Sequence, residues 1–385
     1  MSTGMSIDDK YKEAGSAITM AGGTPVPVNE TLIKLLRYYV MEEELDFVIA
    51  FKGRKSQTLD QLKASTALSE EEILAKTDAL ASRGVIFNQP NSAGVMVYRL
   101  LPLLNVGMFE YTFMGKIEPN SRNREISALF HQLFQELTQL VQQNYDHIMP
   151  FLMKAPPVDR TVPFAGNKTT GQRVKIIVGK SLGAPVERIV PTQEVSALIQ
   201  KFDEIALGHC FCRHHKDLTG QSCRQTDLRE TCFTFGKSAR YTTQHGFARM
   251  VSQQEALQVL HRAEEAGLVH KAYHPNFDSQ KDETSICNCC RCCCGNSVEN
   301  MIAPVINATR YLAVIEADRC TGCGTCVDKC HTGAASLNEE GQAQRKADYC
   351  IGCGVCAYFC PENAVSLAES PRTVRIAPRR ARPGA

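Results

Sequence analysis

The chain has 385 residues, 43% of them hydrophobic, and its 43 Lys and Arg nearly balance 41 Asp and Glu for a formal net charge of +2. That length predicts two or three domains with real cores, and the charge balance argues against a general affinity for nucleic acid or anionic membranes. No apolar run approaches the ~20 residues needed to cross a bilayer, and residues 1–10 lack the apolar core of a signal peptide, so a cytoplasmic protein is expected.

Residues 1–28 read as disordered, with Gly22, Gly23, Pro25 and Pro27 as breakers. From Asn29, an apolar pattern at helical spacing runs through Leu32, Leu35, Leu36, Tyr39 and Val40. A short helix is expected over 59–64. Ser69 with Glu72 then forms a capping box that opens a helix to Arg83, stopped by Gly84. Two short strands, 85–87 and 95–100, flank the turn-forming N-Q-P-N-S-A-G. The sum, over residues 29–115, resembles a winged helix-turn-helix. Its second helix opens with Glu70, Glu71 and Glu72, which suits the helix dipole but opposes a polyanion in the major groove. Nucleic acid is therefore not the expected partner of this module.

Residues 120–149 carry one amphipathic stripe, Ile126, Leu129, Phe130, Leu133, Phe134, Leu137, Leu140 and Val141. With a Pro- and Gly-bearing linker it spans 116–165. A strand is expected at 174–178 and a helix at 192–206. Next comes a cysteine-rich region over 166–310. Cys210, Cys212, Cys223 and Cys232 lie among His209, His214 and His215, and a helix capped by Ser252 and Glu255 runs to Ala266 with Gly267 as its stop. Cys287, Cys289, Cys290, Cys292, Cys293 and Cys294 follow within eight residues. Ten thiols in this region need a metal, because adjacent cysteines in a polar loop are otherwise an oxidation liability. Without carboxylates the set is soft and favours iron–sulfur or zinc. Side chains alternate along an extended chain, so the Cys292–Cys294 triplet is not expected to bind one tetrahedral ion. Arg213 and Arg291 adjoin these ligands, where a cation would stabilise a reduced cluster.

The strongest pattern comes last. Cys320, Cys323, Cys326 and Cys330 are repeated thirty residues on as Cys350, Cys353, Cys356 and Cys360, followed by Pro361. Gly322/Gly352, Gly324/Gly354, Ala334/Ala364, Ser336/Ser366 and Leu337/Leu367 fall at the same offset, which marks an internal repeat. Zinc sites use two C-x-x-C pairs or Cys/His pairs instead. With 18 cysteines and no export signal, metal–sulfur chemistry in a reducing compartment is expected over disulfides, and with it an anaerobic host.

The segment around 313–368 resembles two-cluster bacterial ferredoxins. The resemblance implies two 4Fe–4S clusters, with the fourth Cys of each run crossing to the other cluster. One would be held by Cys320, Cys323, Cys326 and Cys360, the other by Cys350, Cys353, Cys356 and Cys330. His331 stands where the second half has Pro361, so the two potentials are expected to differ. Cys210, Cys212, Arg213, Thr231, Cys232, 267–270 and 286–294 resemble segments of cysteine-rich iron–sulfur proteins of anaerobes, which implies at least one additional iron–sulfur cluster. The C-C-G ending is also similar to the cysteine-rich domains of heterodisulfide reductases, whose paired long-range motifs are not evident here.

The expected architecture is multidomain α+β: the winged-helix-like domain, a helical Cys-rich middle domain, a ferredoxin-like dicluster domain over 311–370, and a basic tail over 371–385 whose five arginines and Pro/Gly content read as disordered. No G-x-G-x-x-G opens a helix after a strand, so no NAD or flavin site is recognised. The function expected is electron transfer to a partner oxidoreductase. The alternatives are a winged-helix redox-sensing regulator, and a reductase subunit with catalysis at the Cys287–Cys294 cluster.

Overall fold

The computed structural model describes residues 5–22, 26–54, 56–116, 118–154, 159–178, 186–187, 195–274, 281–295, 297, 305–307, 309–370 and 374–376. The chain forms two compact units, each assembled from separate stretches. The first comprises Met1–Leu137, Gly208–Gln221 and Lys237–Met250; the second comprises Thr138–Leu207, Ser222–Gly236 and Val251–Ala385.

The first unit is mostly helical. Its N-terminal stretch is ordered, contrary to expectation: a helix spans Ile7–Met20, and the Ser6 hydroxyl at its cap accepts from the Asp9 N–H. Tyr11, Ala14, Gly15, Ala17 and Ile18 recur at helical spacing on its buried side, and the Tyr11 hydroxyl donates to the Val40 carbonyl at 2.9 Å. Of the expected breakers, Gly22 lies just beyond the helix's end. The helix Glu30–Leu36 buries Leu32, Leu35 and Leu36. Helices Leu59–Thr66 and Glu70–Ser82 follow. The capping box is reciprocal: the Glu72 N–H donates to the Ser69 hydroxyl and the Ser69 N–H to the Glu72 carboxylate. Strands Ile86–Pro90 and Met96–Leu100 pair antiparallel with Ile86 opposite Leu100.

The expected helix over 120–149 is instead two, Ser121–Gln143, which carries the whole apolar stripe, and Tyr145–Lys154, which belongs to the second unit. Ile126, Phe130, Leu133 and Leu137 are buried, but Leu140 is 41% exposed, so the packed stripe stops before the helix does. Two later segments complete this unit. Helix Phe211–Leu218 buries Arg213 and His215, and helix Lys237–Gln244 buries Tyr241, whose hydroxyl donates to the carbonyls of Ala81 and Ile86.

The second unit carries the sheets. Strand Asp159–Val162 pairs with Val269–Tyr273, which pairs with Ser285–Cys289, which pairs with Glu230–Phe235, all antiparallel. Val162, Phe233, Ala272 and Ile286 share a core with Ala256, Val259 and Leu260 of the helix Gln253–Glu265. As expected, Ser252 caps that helix. The helix expected over 192–206 is shorter, Val195–Gln200, its first residues lying outside the described ones. Ile205 and Ala206 belong instead to a strand, Ile205–His209. Buried Ile205, Ala206 and Leu207 form a short apolar run of the kind that fits a covered strand.

Strand Tyr311–Ile315 pairs antiparallel with Val365–Glu369, which pairs parallel with Ile176–Val178. The basic tail is not wholly irregular: Val374–Ile376 pairs antiparallel with Val305–Asn307, since V-R-I can extend and pair as a short strand. The remainder of the tail lies outside the described residues. Among the described residues no helix is long and apolar enough to cross a membrane.

Candidate metal and iron–sulfur centres

The cysteine repeat is a repeat in conformation as well as in sequence. Each half begins with a single 3-10 turn, Ala317–Arg319 or Ala347–Tyr349. Each then passes through two left-handed glycines, Gly322 and Gly324 at φ +70° and +75°, Gly352 and Gly354 at φ +67° and +76°. A short helix follows, Thr325–Asp328 or Val355–Phe359. Only glycine takes such dihedrals without strain, and they turn the chain back so that thiols two residues apart face one space.

Two cavities result. One is lined by Cys320, Cys323, Cys326 and Cys360. The other is lined by Cys330, Cys350, Cys353 and Cys356, with Cys326 also at its wall. Backbone N–H groups are aimed at the sulfurs: Ala334 donates to Cys330 at 3.1 Å, Ala364 to Cys360 at 3.2 Å and Ala343 to Cys320 at 3.4 Å. The Ala334/Ala364 match thus marks the donor to the last thiol of each run. Such N–H···S bonds favour thiolate over thiol, as metal ligation requires. Four thiols around each concave space, with donors already placed, fit a 4Fe–4S group.

The second half is held by residues the motif does not contain. The Phe164 N–H donates to the Cys353 carbonyl at 3.0 Å. The Asn167 amide donates to the carbonyls of Ala357 and Cys360 at 2.8 and 2.9 Å. Phe164, Val269, Ile351, Val355 and Tyr358 form an apolar cluster there. Burial pushes the Cys353 thiol up to about 12 and raises Cys356. Cys323 is exposed, and the Thr325 hydroxyl beside it holds its thiol below the usual value. His331 is buried. Loss of solvent pushes its imidazole down to about 4, so the ring is neutral at neutral pH.

In the cysteine-rich stretch, strand Ser285–Cys289 puts Cys287 and Cys289 on one face by alternation. Cys287 lies opposite Lys271 in register, and its Sγ is 4.0 Å from that of Cys232. Asn288 points the other way, bonding the His270 ring and the Thr231 carbonyl. Tyr273 has its hydroxyl raised well above the ordinary value by burial, then by Cys287, Asp159, Cys289 and Cys294. Lys271 is almost fully buried and paired with Asp159 at 3.1 Å.

Beyond Cys289 the chain stops being extended and turns over residues 291–293. Cys290, Cys292 and Cys293 therefore converge with Cys223, all four Sγ atoms lying within 4.8 Å of one another. Strand alternation does not govern the triplet, and two of its members face one point. The thiols of Cys290 and Cys293 hold Cys223 far below the ordinary value, and Cys290 brings Cys292 down to about 6.

Cys210 and Cys212 belong to the other unit. Cys210 is buried at the cap of helix Phe211–Leu218, and Cys212 is half-buried. The neighbouring histidines are turned toward backbone: His214 Nδ1 donates to the Phe113 carbonyl and His215 Nε2 to that of Ser127. Arg213 is fully buried, whereas Arg291 is exposed. The motif gave no sign of Phe164, Asn167, Lys271 or Tyr273.

These features define a C-terminal ferredoxin-type domain. Residues 312–362 match the 4Fe-4S dicluster domain family. Over 32 residues, 8% of the chain, the sequence is 53% identical to a probable ferredoxin of Methanosarcina thermophila, and the match spans 55% of that protein's length. An iron–sulfur electron-transfer role accords with that domain, and the chain as a whole mixes helix and sheet.

Proposed function

We propose that the protein relays single electrons to a partner oxidoreductase through two 4Fe–4S clusters and at least one further iron–sulfur centre. The observation that supports this best is the lining of the two cavities, in which Cys360 joins the first triplet and Cys330 the second. A 4Fe–4S cluster supplies one-electron chemistry at a potential set by its surroundings. The chain's own residues hold it, donate N–H bonds to its ligands and exclude water from one side. Exposed Cys323 marks the side open to a partner. A further centre is assigned to the buried thiols of Cys287, Cys289 and Cys294 near Tyr273, with Cys232 Sγ 4.0 Å from that of Cys287.

The module over 29–115 is read as winged-helix-like and protein-facing, because Glu70, Glu71 and Glu72 are all exposed on the helix Glu70–Ser82. A cytoplasmic, anaerobic setting suits this cluster load. Iron and acid-labile sulfide analysis of anaerobically purified protein, with electron paramagnetic resonance after reduction, tests the proposal. About eight iron per chain would confine clusters to the repeat, and twelve or more would support a further centre. A protein without reducible clusters would refute the relay.

A further inference from the structure

Cys223, Cys290, Cys292 and Cys293 make the most compact group of potential metal ligands among the described residues. We propose that they hold one divalent ion in tetrahedral thiolate coordination, of zinc type, separate from the iron–sulfur clusters. The size of the group carries the assignment. A metal–sulfur bond of about 2.3 Å gives a tetrahedron with sulfur–sulfur edges of about 3.8 Å. Cys223 and Cys292 are 3.6 Å apart, Cys292 and Cys293 3.8 Å. In a 4Fe–4S cluster each thiolate binds a different iron, which sets the ligand sulfurs farther apart than one such edge.

The chemistry agrees with the size. The ligand set is four thiols with no carboxylate or imidazole, soft enough to select zinc or iron over magnesium or calcium. The Arg224 N–H donates to Cys292 Sγ at 3.4 Å and the Cys293 N–H to Cys290 Sγ at 3.3 Å, outer bonds of the kind that orient metal-bound thiolates. The protein already stitches this junction. Gln225 accepts from the Arg291 N–H at 2.9 Å and donates to the carbonyls of Ala266 and Gly267 at 3.0 Å. An ion here closes the long loop from Cys223 to Cys290 and fixes the turn after strand Ser285–Cys289. Its role is to staple, not to carry electrons, so it does not depend on the relay.

The test is metal and labile-sulfide analysis of the full chain, purified anaerobically. One equivalent of zinc is expected beside the cluster iron; one iron in excess of sulfide with mononuclear tetrathiolate absorption would instead make this a redox site and overturn the staple. Cys223→Ser and Cys292→Ser should each lose that equivalent while cluster iron and sulfide stay constant. Exchange of wild-type protein with cobalt should give intense visible bands of tetrahedral thiolate coordination, a readout that survives if a variant fails to fold. Loss of about four iron with four sulfide in either variant, or wild-type protein with no metal beyond its clusters, would overturn the proposal. Absence of reducible clusters with zinc retained would defeat the relay alone.

Discussion

The two halves of the cysteine repeat share a spacing, a pair of left-handed glycines and an alanine N–H aimed at the last thiol, yet they sit in different surroundings. The cavity of Cys320 and Cys323 has one exposed ligand on its wall, Cys323. The cavity of Cys350 and Cys353 lies against Phe164, Val269 and Tyr358, and burial raises the thiols of Cys353 and Cys356. Ligand spacing therefore sets what each site binds, while the residues outside the motif set how each site behaves. Equal spacing does not make equal centres.

The sharpest way to break this comparison is to remove the crossing ligands. Cys330→Ser should abolish the enclosed centre and Cys360→Ser the open one, each with loss of about four iron. Redox titration reads which potential survives, and loss of the same centre in both variants would refute the crossover. Next in size, Lys271→Met should cost about 3–5 kcal/mol, because Asp159 is left buried without its cation. The enclosed centre should also move to more negative potential, since Lys271 favours the anionic state of nearby Cys353. Anaerobic urea unfolding and the same titration measure both.

Glycine replacement probes the walls. A Cβ on Gly354 would meet the Phe164 backbone nitrogen at 3.0 Å, whereas one on Gly324 meets nothing within 4 Å. Gly354→Ala should therefore cost about 2–3 kcal/mol and Gly324→Ala about 1 kcal/mol of left-handed strain, again read from unfolding curves. The smallest effect is expected at the open site. Thr325→Val removes the hydroxyl 3.4 Å from Cys323 Sγ, which favours the more negative reduced state. Its potential should fall by about 20 mV, equivalent to about 0.5 kcal/mol, with the enclosed centre unchanged.

Much of this was legible in the sequence because it is local. The eight thiols of the repeat, their glycines and the Ser69–Glu72 cap are each set by neighbours a few residues away. What escaped depends on distance along the chain. Asn167 reaches Ala357 and Cys360 across 190 and 193 positions, and no motif records such a bond. The helix Ile7–Met20 was hidden because three of the five residues on its buried face, Ala14, Gly15 and Ala17, are small and carry little hydrophobic signal. The turn at 291–293 escaped for another reason: strand alternation was extended past Cys289, where the pairing with Val269 ends. The interleaving of Gly208–Gln221 and Lys237–Met250 with the first 137 residues likewise leaves no trace in periodicity.

The clamp made by Asn167 and the strand Ile176–Val178 also has a consequence in time. Ribosomes add about 5–20 residues per second, so roughly 10–40 s pass between synthesis of Asn167 and of its partner Cys360. During that interval the receiving edge of the enclosed site waits without the carbonyls it will hold, while the open half of the repeat emerges thirty residues earlier than the second. A nascent chain thus acquires its first cysteine triplet before either four-thiol set is complete, because each set borrows its fourth sulfur from the other run. Assembly of the two centres is thereby deferred until Cys360 has been made, when the clamp, the triplets and both crossing thiols are present together.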